Sequence, residues 1–272
     1  MFESSACACR SLSRRSSLLG LLAGLLLAVS PSVLAEPVVR IGTGDWVPYV
    51  DQQRKDGGAL ARLVSAVFAK AGYRVELVFY PWDRNVLMLE QGNLDAIMPY
   101  SCSPKRLDFG VCSDPLVRGE VVLFHRKELH FDWRRVEDLK PYLIGTTHGY
   151  SYGPQFDRAL QDGSLRVQQN SKEDTGLRLL ELGRIDLHPQ DRAVGYAMLR
   201  KLFPREHNIT HHPRYVNTEP LRLLFRRDDP ASAKLLDRFN AELARFAERG
   251  ELKRLQEALN RGDPDRWRPE SF

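Results

Sequence analysis

The sequence predicts an α/β protein made of two similarly built lobes, and three observations predict it. Segments of strand and helix character alternate along most of the chain, the signature of a sheet with helices on its faces. A short pattern, Leu-Glu-x-Gly-x-Leu/Ile-Asp, occurs twice, as "LEQGNLD" at 89–95 and "LELGRID" at 180–186. Two apolar stretches that run into mixed charge, "GEVVLFHRKE" (119–128) and "PLRLLFRRDD" (220–229), each read as a crossing from one lobe to the other.

The elements follow in order. A strand over 38–42 leads into "GTGDWVPY". Leu60, Leu63, Val64, Val67, Phe68 and Ala71 then fall at helical spacing, with Gly72 as the stop. Val75, Leu77 and Phe79 alternate as a strand. "WDRNVLMLEQG" is a short helix ending at Gly92, and "LDAIM" a buried strand. The alternation resumes with "YLIGTTHGYSYGPQFDRAL" as strand, turn and helix, then "TGLRLLELG" as helix, "RIDL" as strand and "DRAVGYAMLRKLF" as helix. Gly92 and Gly183 stand where a helix end needs a left-handed residue. A last helix carries Leu235, Leu236, Phe239, Leu243 and Phe246 on one side and packs back on the first lobe. The expected division is lobe 1 over 36–124 and 217–260, lobe 2 over 125–216, and a loose charged tail over 261–272.

Residues 1–35 form a separate unit of sequence. Three arginines and one acid precede the apolar run "LLGLLAGLLLAVS", which is shorter than the roughly 20 residues a membrane span needs. "PSVLAEP" follows, so a signal peptide cut after Ala35 and a periplasmic location are expected. Removing three of the 40 basic and one of the 35 acidic residues leaves 37 and 34, a net of +3. No lysine–arginine block stands out, so composition does not imply nucleic-acid binding. Processing also leaves two cysteines, Cys102 and Cys112, in an oxidising compartment. They suit either a disulfide or two buried thiols, and their spacing fits no zinc site.

The residues that could carry chemistry cluster past strand ends, where open α/β sheets bind ligands. In "GTGDWVPY", a dinucleotide loop is excluded because Val47 stands where a third glycine is needed. Asp45, Trp46 and Tyr49 remain as either a ligand wall or a core turn. "PYSCSPKR" offers the Ser101 and Ser103 hydroxyls and the Arg106 fork, suited to a carboxylate or to a surface ion pair with Asp108. "IGTTHGYSYG" places Thr146 and Thr147 before a helix that starts near Ser151, where an anion or a simple cap fits. Asp191 follows a strand and opens a helix, as a cap or as the partner of a ligand cation. His188 and the pair at 211–212 carry no metal-site spacing. No nucleophile elbow, zinc-protease motif or phosphate loop is present in the sequence, and no cofactor or metal is expected.

Taken in order and spacing, "RIGTGDWVPY", "GNLDAIM", "SPKR", "FGVCSDPL", "IGTTHGYSYG" and "GRIDLHPQDRAVGY" resemble the bacterial extracellular solute-binding proteins of family 3, the polar amino-acid binders of ABC transporters. "PWDR" at 81–84 is similar to a divergent branch of that family. The resemblance covers roughly Val38 to Gly250. It implies a type II periplasmic-binding fold: two α/β lobes, two crossover strands and a ligand cleft between them. By that resemblance Arg106 takes a ligand carboxylate, Ser101, Ser103 and Thr146 or Thr147 assist, and Asp191 takes the ammonium. Trp46 or Tyr49 covers the side chain, and Asp45 lies near a position used for cationic side chains. The implied protein is a monomer that delivers a small polar solute to an inner-membrane ABC permease. Two further readings stand beside it: a periplasmic cyclohexadienyl or arogenate dehydratase, with Asp45, His148 or His188 as its acid, and a sensing module for a membrane receptor.

Overall fold

A computed structural model describes residues 36–270; the signal peptide expected over 1–35 lies outside the described residues. The elements are β1 (Val38–Thr43), α1 (Ala59–Lys70), β2 (Arg74–Phe79), α2 (Trp82–Glu90), β3 (Ala96–Tyr100), α3 (Pro104–Leu107), β4 (Gly110–Cys112), β5 (Val117–Arg126), β6 (Leu143–Thr147), α4 (Pro154–Gln161), β7 (Arg166–Asn170), α5 (Thr175–Glu181), β8 (Leu187–Asp191), α6 (Arg192–Leu202), β9 (Ile209–Arg226), α7 (Pro230–Glu248) and α8 (Glu251–Arg261).

The strands run β2-β1-β3-β9-β5-β8-β6-β7, with β4 added alongside β9. Each half holds three parallel strands, β2-β1-β3 or β8-β6-β7, as strand–helix–strand connections require. The two halves meet at one antiparallel pair. β5 lies along β9 from Val117 opposite Leu221 to Arg126 opposite Ile209, and β9 then continues into the first half beside β3 and β4. These are the two crossing segments expected from sequence. β9 starts eleven residues earlier than "PLRLLF", because "ITHHPRYVNT" pairs with β5 although it lacks an apolar run.

The repeated Leu-Glu-x-Gly pattern has a structural meaning. Gly92 and Gly183 take φ of 74° and 67°, ending α2 and α5. The aspartate three residues later precedes a strand in both halves. Asp95 accepts from the Arg40 amide at 2.7 Å and returns its own amide to the Arg40 carbonyl at 2.9 Å. Asp186 does the same with Leu143, at 2.8 Å in both directions. Each aspartate therefore locks the start of its strand to the central strand of its own half. The second strand begins at Leu187, so "RIDL" is its approach rather than its body.

The first half buries its main core between the sheet and α1, α7 and α8, where Leu60, Leu63, Val64, Val67 and Phe68 are all fully buried. Full burial of each such side chain stabilises by about 1.5–3 kcal/mol. Phe68 packs on Phe239 at 4.7 Å between ring centres, which ties α1 to α7. The second half has two smaller cores, around Phe156 with Leu187 and around Phe124 with Leu180.

Two expectations are corrected. β7 was not expected, because "RVQQN" has one apolar residue; it lies at the sheet edge, with Val167 43 % exposed. Residues 262–267 of the expected loose tail are docked. Trp267 is only 6 % exposed and joins the first core, Arg62 Nη2 donates to the Pro264 carbonyl at 2.6 Å, and the Arg62 guanidinium lies over the Trp267 ring.

α6 crosses β5 so closely that Gly195 has no room for a methyl. A Cβ there would stand 2.3 Å from the buried Phe124 ring. Alanine in a helix interior ordinarily gains about 1 kcal/mol over glycine. Here overpacking outweighs that gain, and Gly195→Ala is expected to lose about 1–3 kcal/mol. Urea denaturation measures it; a variant as stable as the parent would refute the close approach.

Candidate functional site

The loop after β1 turns sharply at Trp46–Val50. The Trp46 amide donates to Val50 O at 3.0 Å, and the Tyr49 and Val50 amides return to Trp46 O at 2.9 and 3.1 Å. Pro48, behind a cis peptide, sits inside this turn. Asp45 is exposed and accepts from the Gln52 amide at 3.1 Å, so it braces the turn. The sharp fold stacks Trp46 on Tyr49, ring centres 4.7 Å apart, and drives Tyr49 inward until it is 2 % exposed.

Tyr49 meets Asp191, which comes from the other half. Its hydroxyl stands 3.2 Å from both Asp191 oxygens. Asp191 is the last residue of β8 and the cap of α6. Its Oδ1 accepts from the Ala193 and Val194 amides at 3.0 and 3.1 Å, and its Oδ2 from the Glu120 amide at 3.1 Å. Of the two roles open in the sequence, helix cap or partner of a ligand cation, the capping contacts are present, and the same carboxylate also meets Tyr49 of the opposite half. Burial nevertheless outweighs these donors and raises its pKa to about 6. Tyr49 is pushed up too, first by burial and then by the Asp191 charge. Beside them Glu120 and Arg192 form an ion pair at 2.5 Å.

Arg106 stands on α3, just past β3. The strand runs two residues beyond Met98, to Tyr100, so the loop begins at Ser101. Cys102 and Cys112 are joined by a disulfide, with Cα atoms 6.4 Å apart, which ties this loop to β4. Arg106 Nη1 donates to Ser101 O and Oγ at 3.1 and 2.6 Å, and the guanidinium lies 4.8 Å above the Tyr100 ring. Ser101 accepts here, so its own hydroxyl proton is free to donate elsewhere. Ser103 precedes α3 without capping it through its side chain. Arg106 makes no ion pair with any carboxylate among the described residues, Asp108 included.

Thr146 and Thr147 end β6 and are buried, 3 % and 5 % exposed. The helix that follows starts at Pro154, not near Ser151, and its start is already filled from within. Asp157 accepts from Ser151 Oγ at 2.5 Å and from the Tyr152 amide at 2.8 Å. The Thr147 amide donates to Tyr152 Oη at 2.6 Å. What Thr147 retains is a buried hydroxyl without a hydrogen-bond partner. His188 is a core residue: its Nδ1 lies 2.8 Å from Gly145 O, and burial lowers its pKa to about 4. His211 contacts Tyr196 and His212 contacts Asp132, and the described residues hold no metal-ligand cluster.

A cavity of about 110 Å³ lies beside the Tyr49–Asp191 contact, walled by Trp46, Gly119, Tyr150, Gln190, Asp191 and Glu219 among others. A second, of about 350 Å³, shares the Trp46 wall and holds Asp45, Glu173 and Lys201. A larger hollow of about 620 Å³, at Lys55, Arg62 and Arg268, shares no wall with either. Of the residues expected from sequence, the structure gathers Trp46, Tyr49 and Asp191 in one place and Asp45 behind Trp46. Arg106, Ser101 and Ser103 form a second group that walls neither cavity. Sequence reasoning missed Glu173, Tyr150, Gln190 and Glu219. Glu173 accepts from the Tyr150 hydroxyl and from Gln190 Nε2 at 3.2 Å, while burial raises its pKa. It lies three residues past the end of β7, so the strand-end rule finds it only once β7 is recognised.

The fold has solved counterparts. A mutant of ArgBP from T. maritima superposes with a TM-score of 0.64 at 20 % identity, covering 82 % of this chain and 95 % of that one. The substrate binding protein of an amino acid ABC transporter gives 0.63 at 17 %, covering 82 % and 99 %. The ancestral amino acid-binding protein AncCDT-1, described as a precursor of cyclohexadienyl dehydratase, gives 0.62 at 23 %, covering 82 % and 94 %. At these identities the likeness is one of fold, the periplasmic-binding type. No curated protein matches the chain. The sequence profile of one family spans residues 39–259, nearly all of the described chain, and by that match the protein belongs to the bacterial extracellular solute-binding proteins, family 3.

Proposed function

We propose that this protein is a periplasmic, monomeric solute-binding protein. It captures a small amino-acid-like zwitterion between its halves and hands it to an inner-membrane ABC permease. The observation that carries this reading is Asp191, a buried carboxylate at a cavity wall where the two halves touch. A zwitterion is costly to desolvate unless both charges are paired. An ammonium at Asp191 and a carboxylate at Arg106, with Ser101, Ser103 and Thr147 assisting, would pair both and draw the halves together about β5 and β9. The moving parts would be 36–124 with 217–260, and 125–216. The Tyr49 hydroxyl stands where the ammonium would bind.

The resemblance to an amino acid ABC transporter's binding protein supports the delivery step, and the apolar leader supports export. Catalysis has weaker support. His188 is locked in the core, His148 is exposed on its loop, and Asp45 braces a turn.

Thermal shift against amino acids and organic acids tests the reading. At about 100 times Kd a ligand stabilises by about 2.7 kcal/mol, which for a chain this size is a rise of about 5–11 °C. No response to any member would sink it. Product formed from prephenate or arogenate would replace it with the dehydratase reading.

A further inference from the structure

We infer that the cavity between Asp191 and the crossing strands is built for a cationic group, and that Glu219 is the residue that selects it. This rests on the solute-binding reading and names its ligand class: a small organic cation, either a basic amino acid or an amine.

The argument begins with strand register. β5 and β9 pair with Gly119 opposite Glu219, and successive residues of a strand point to opposite faces. Gly119 and Val121 of β5 therefore face the cavity together with Asn217, Glu219 and Leu221 of β9, and all five wall it. Arg118 and Thr218 point to the other face, where Arg118 Nη1 donates to Thr218 Oγ1 at 3.2 Å. The cavity thus receives two acids, Asp191 and Glu219, and no lysine, arginine or histidine. The nearby cation, Arg192, is already paired with Glu120 at 2.5 Å.

The two acids differ in what they have left to give. Asp191 is held by three backbone amides and has one further donor, the Tyr49 hydroxyl, whose place a ligand ammonium would take. Glu219 has no hydrogen bond or ion pair from its carboxylate among the described residues. Gly119 leaves room beside Asp191: a Cβ there would stand in contact with Asp191 Oδ2 at 3.4 Å and with the Glu219 main-chain carbonyl at 3.5 Å. Trp46 and Tyr150 supply aromatic walls, which attract cations over their ring faces. A free carboxylate, a second acid, aromatic faces and no basic wall favour a cation and oppose an anion. The volume of about 110 Å³ suits one charged headgroup.

The test uses the protein purified after export, at pH 7.5, with L-lysine, L-arginine, putrescine, L-glutamine and L-glutamate in thermal shift and calorimetry. At least one of the three cations should raise Tm and bind at least tenfold more tightly than glutamine or glutamate. A response to putrescine identifies an amine; a response confined to lysine and arginine identifies a basic amino acid. Glu219→Gln should weaken that cation at least tenfold and leave the unliganded Tm unchanged, because the carboxylate has no partner to lose. Tighter binding of glutamine or glutamate, or unchanged cation affinity in Glu219→Gln, overturns the inference while the solute-binding reading stands. Silence from all five, with other amino acids also silent, removes both.

Discussion

Arg106→Ala is expected to abolish the ligand-induced rise in Tm for any carboxylate ligand and to leave the unliganded protein within about 1 kcal/mol of the parent. The asymmetry follows from what the guanidinium touches. One nitrogen, Nη1, is spent on Ser101, and the plane rests on Tyr100; no protein carboxylate is paired with it. An exposed-to-half-buried group with such contacts contributes little to folding. Its remaining donors are oriented and unspent. Removing one partner of a desolvated charge pair costs about 3–5 kcal/mol, or on the order of 10²–10⁴ in affinity. A shift of about 5–11 °C at 100 times Kd would shrink to nearly nothing. Arg106→Lys separates charge from geometry: a point charge cannot reproduce the fork, so it should restore only part of the shift. A variant that binds as tightly as the parent would remove Arg106 from the site.

The sequence was most informative where one local signal had one physical cause. The paired Asp95 and Asp186 could be recognised because each must satisfy the same strand-start amides in its own half. The crossing segments could be recognised because they are apolar runs outside the strand–helix alternation. Asp191 stood out because a carboxylate between a strand and a helix has few uses. What escaped was set by register and distance. Glu219 is one polar residue among several in "VNTEP", and only the pairing with Gly119 turns it toward the cavity. Tyr49 was open in the sequence as a ligand wall or a core residue, but not as the hydroxyl that reaches Asp191. That contact joins residues 142 apart in sequence. Trp267 lay hidden in a charged tail, where composition says solvent and one buried indole says otherwise.

The pH dependence of binding should have the sign of an ordinary carboxylate–ammonium pair but a midpoint displaced upward, with Asp191 setting its position. Its pKa is about 6, raised by burial. The ordinary value is about 3.9. A raised carboxyl favours the folded state at low pH, and that contribution is lost as pH rises through about 6; the difference is about 3 kcal/mol. His188 acts in the other direction. Burial lowers its pKa to about 4 against an ordinary value of about 6.5, so the fold loses about 3 kcal/mol as pH falls between them. The two nearly cancel between pH 4 and 6.5, and the unliganded Tm should be almost flat there as far as these groups decide it. Asp191→Asn removes one side of the balance, and its Tm should fall more steeply with acid than the parent's. Binding is not cancelled, because His188 faces Gly145 in the core and not the cavity. An ammonium needs Asp191 ionised, so Kd should weaken about tenfold per pH unit below 6 and level off above it. Calorimetry at pH 5, 6 and 7.5 reads this directly. A Kd constant across that range would show that the ligand's cation does not rest on Asp191.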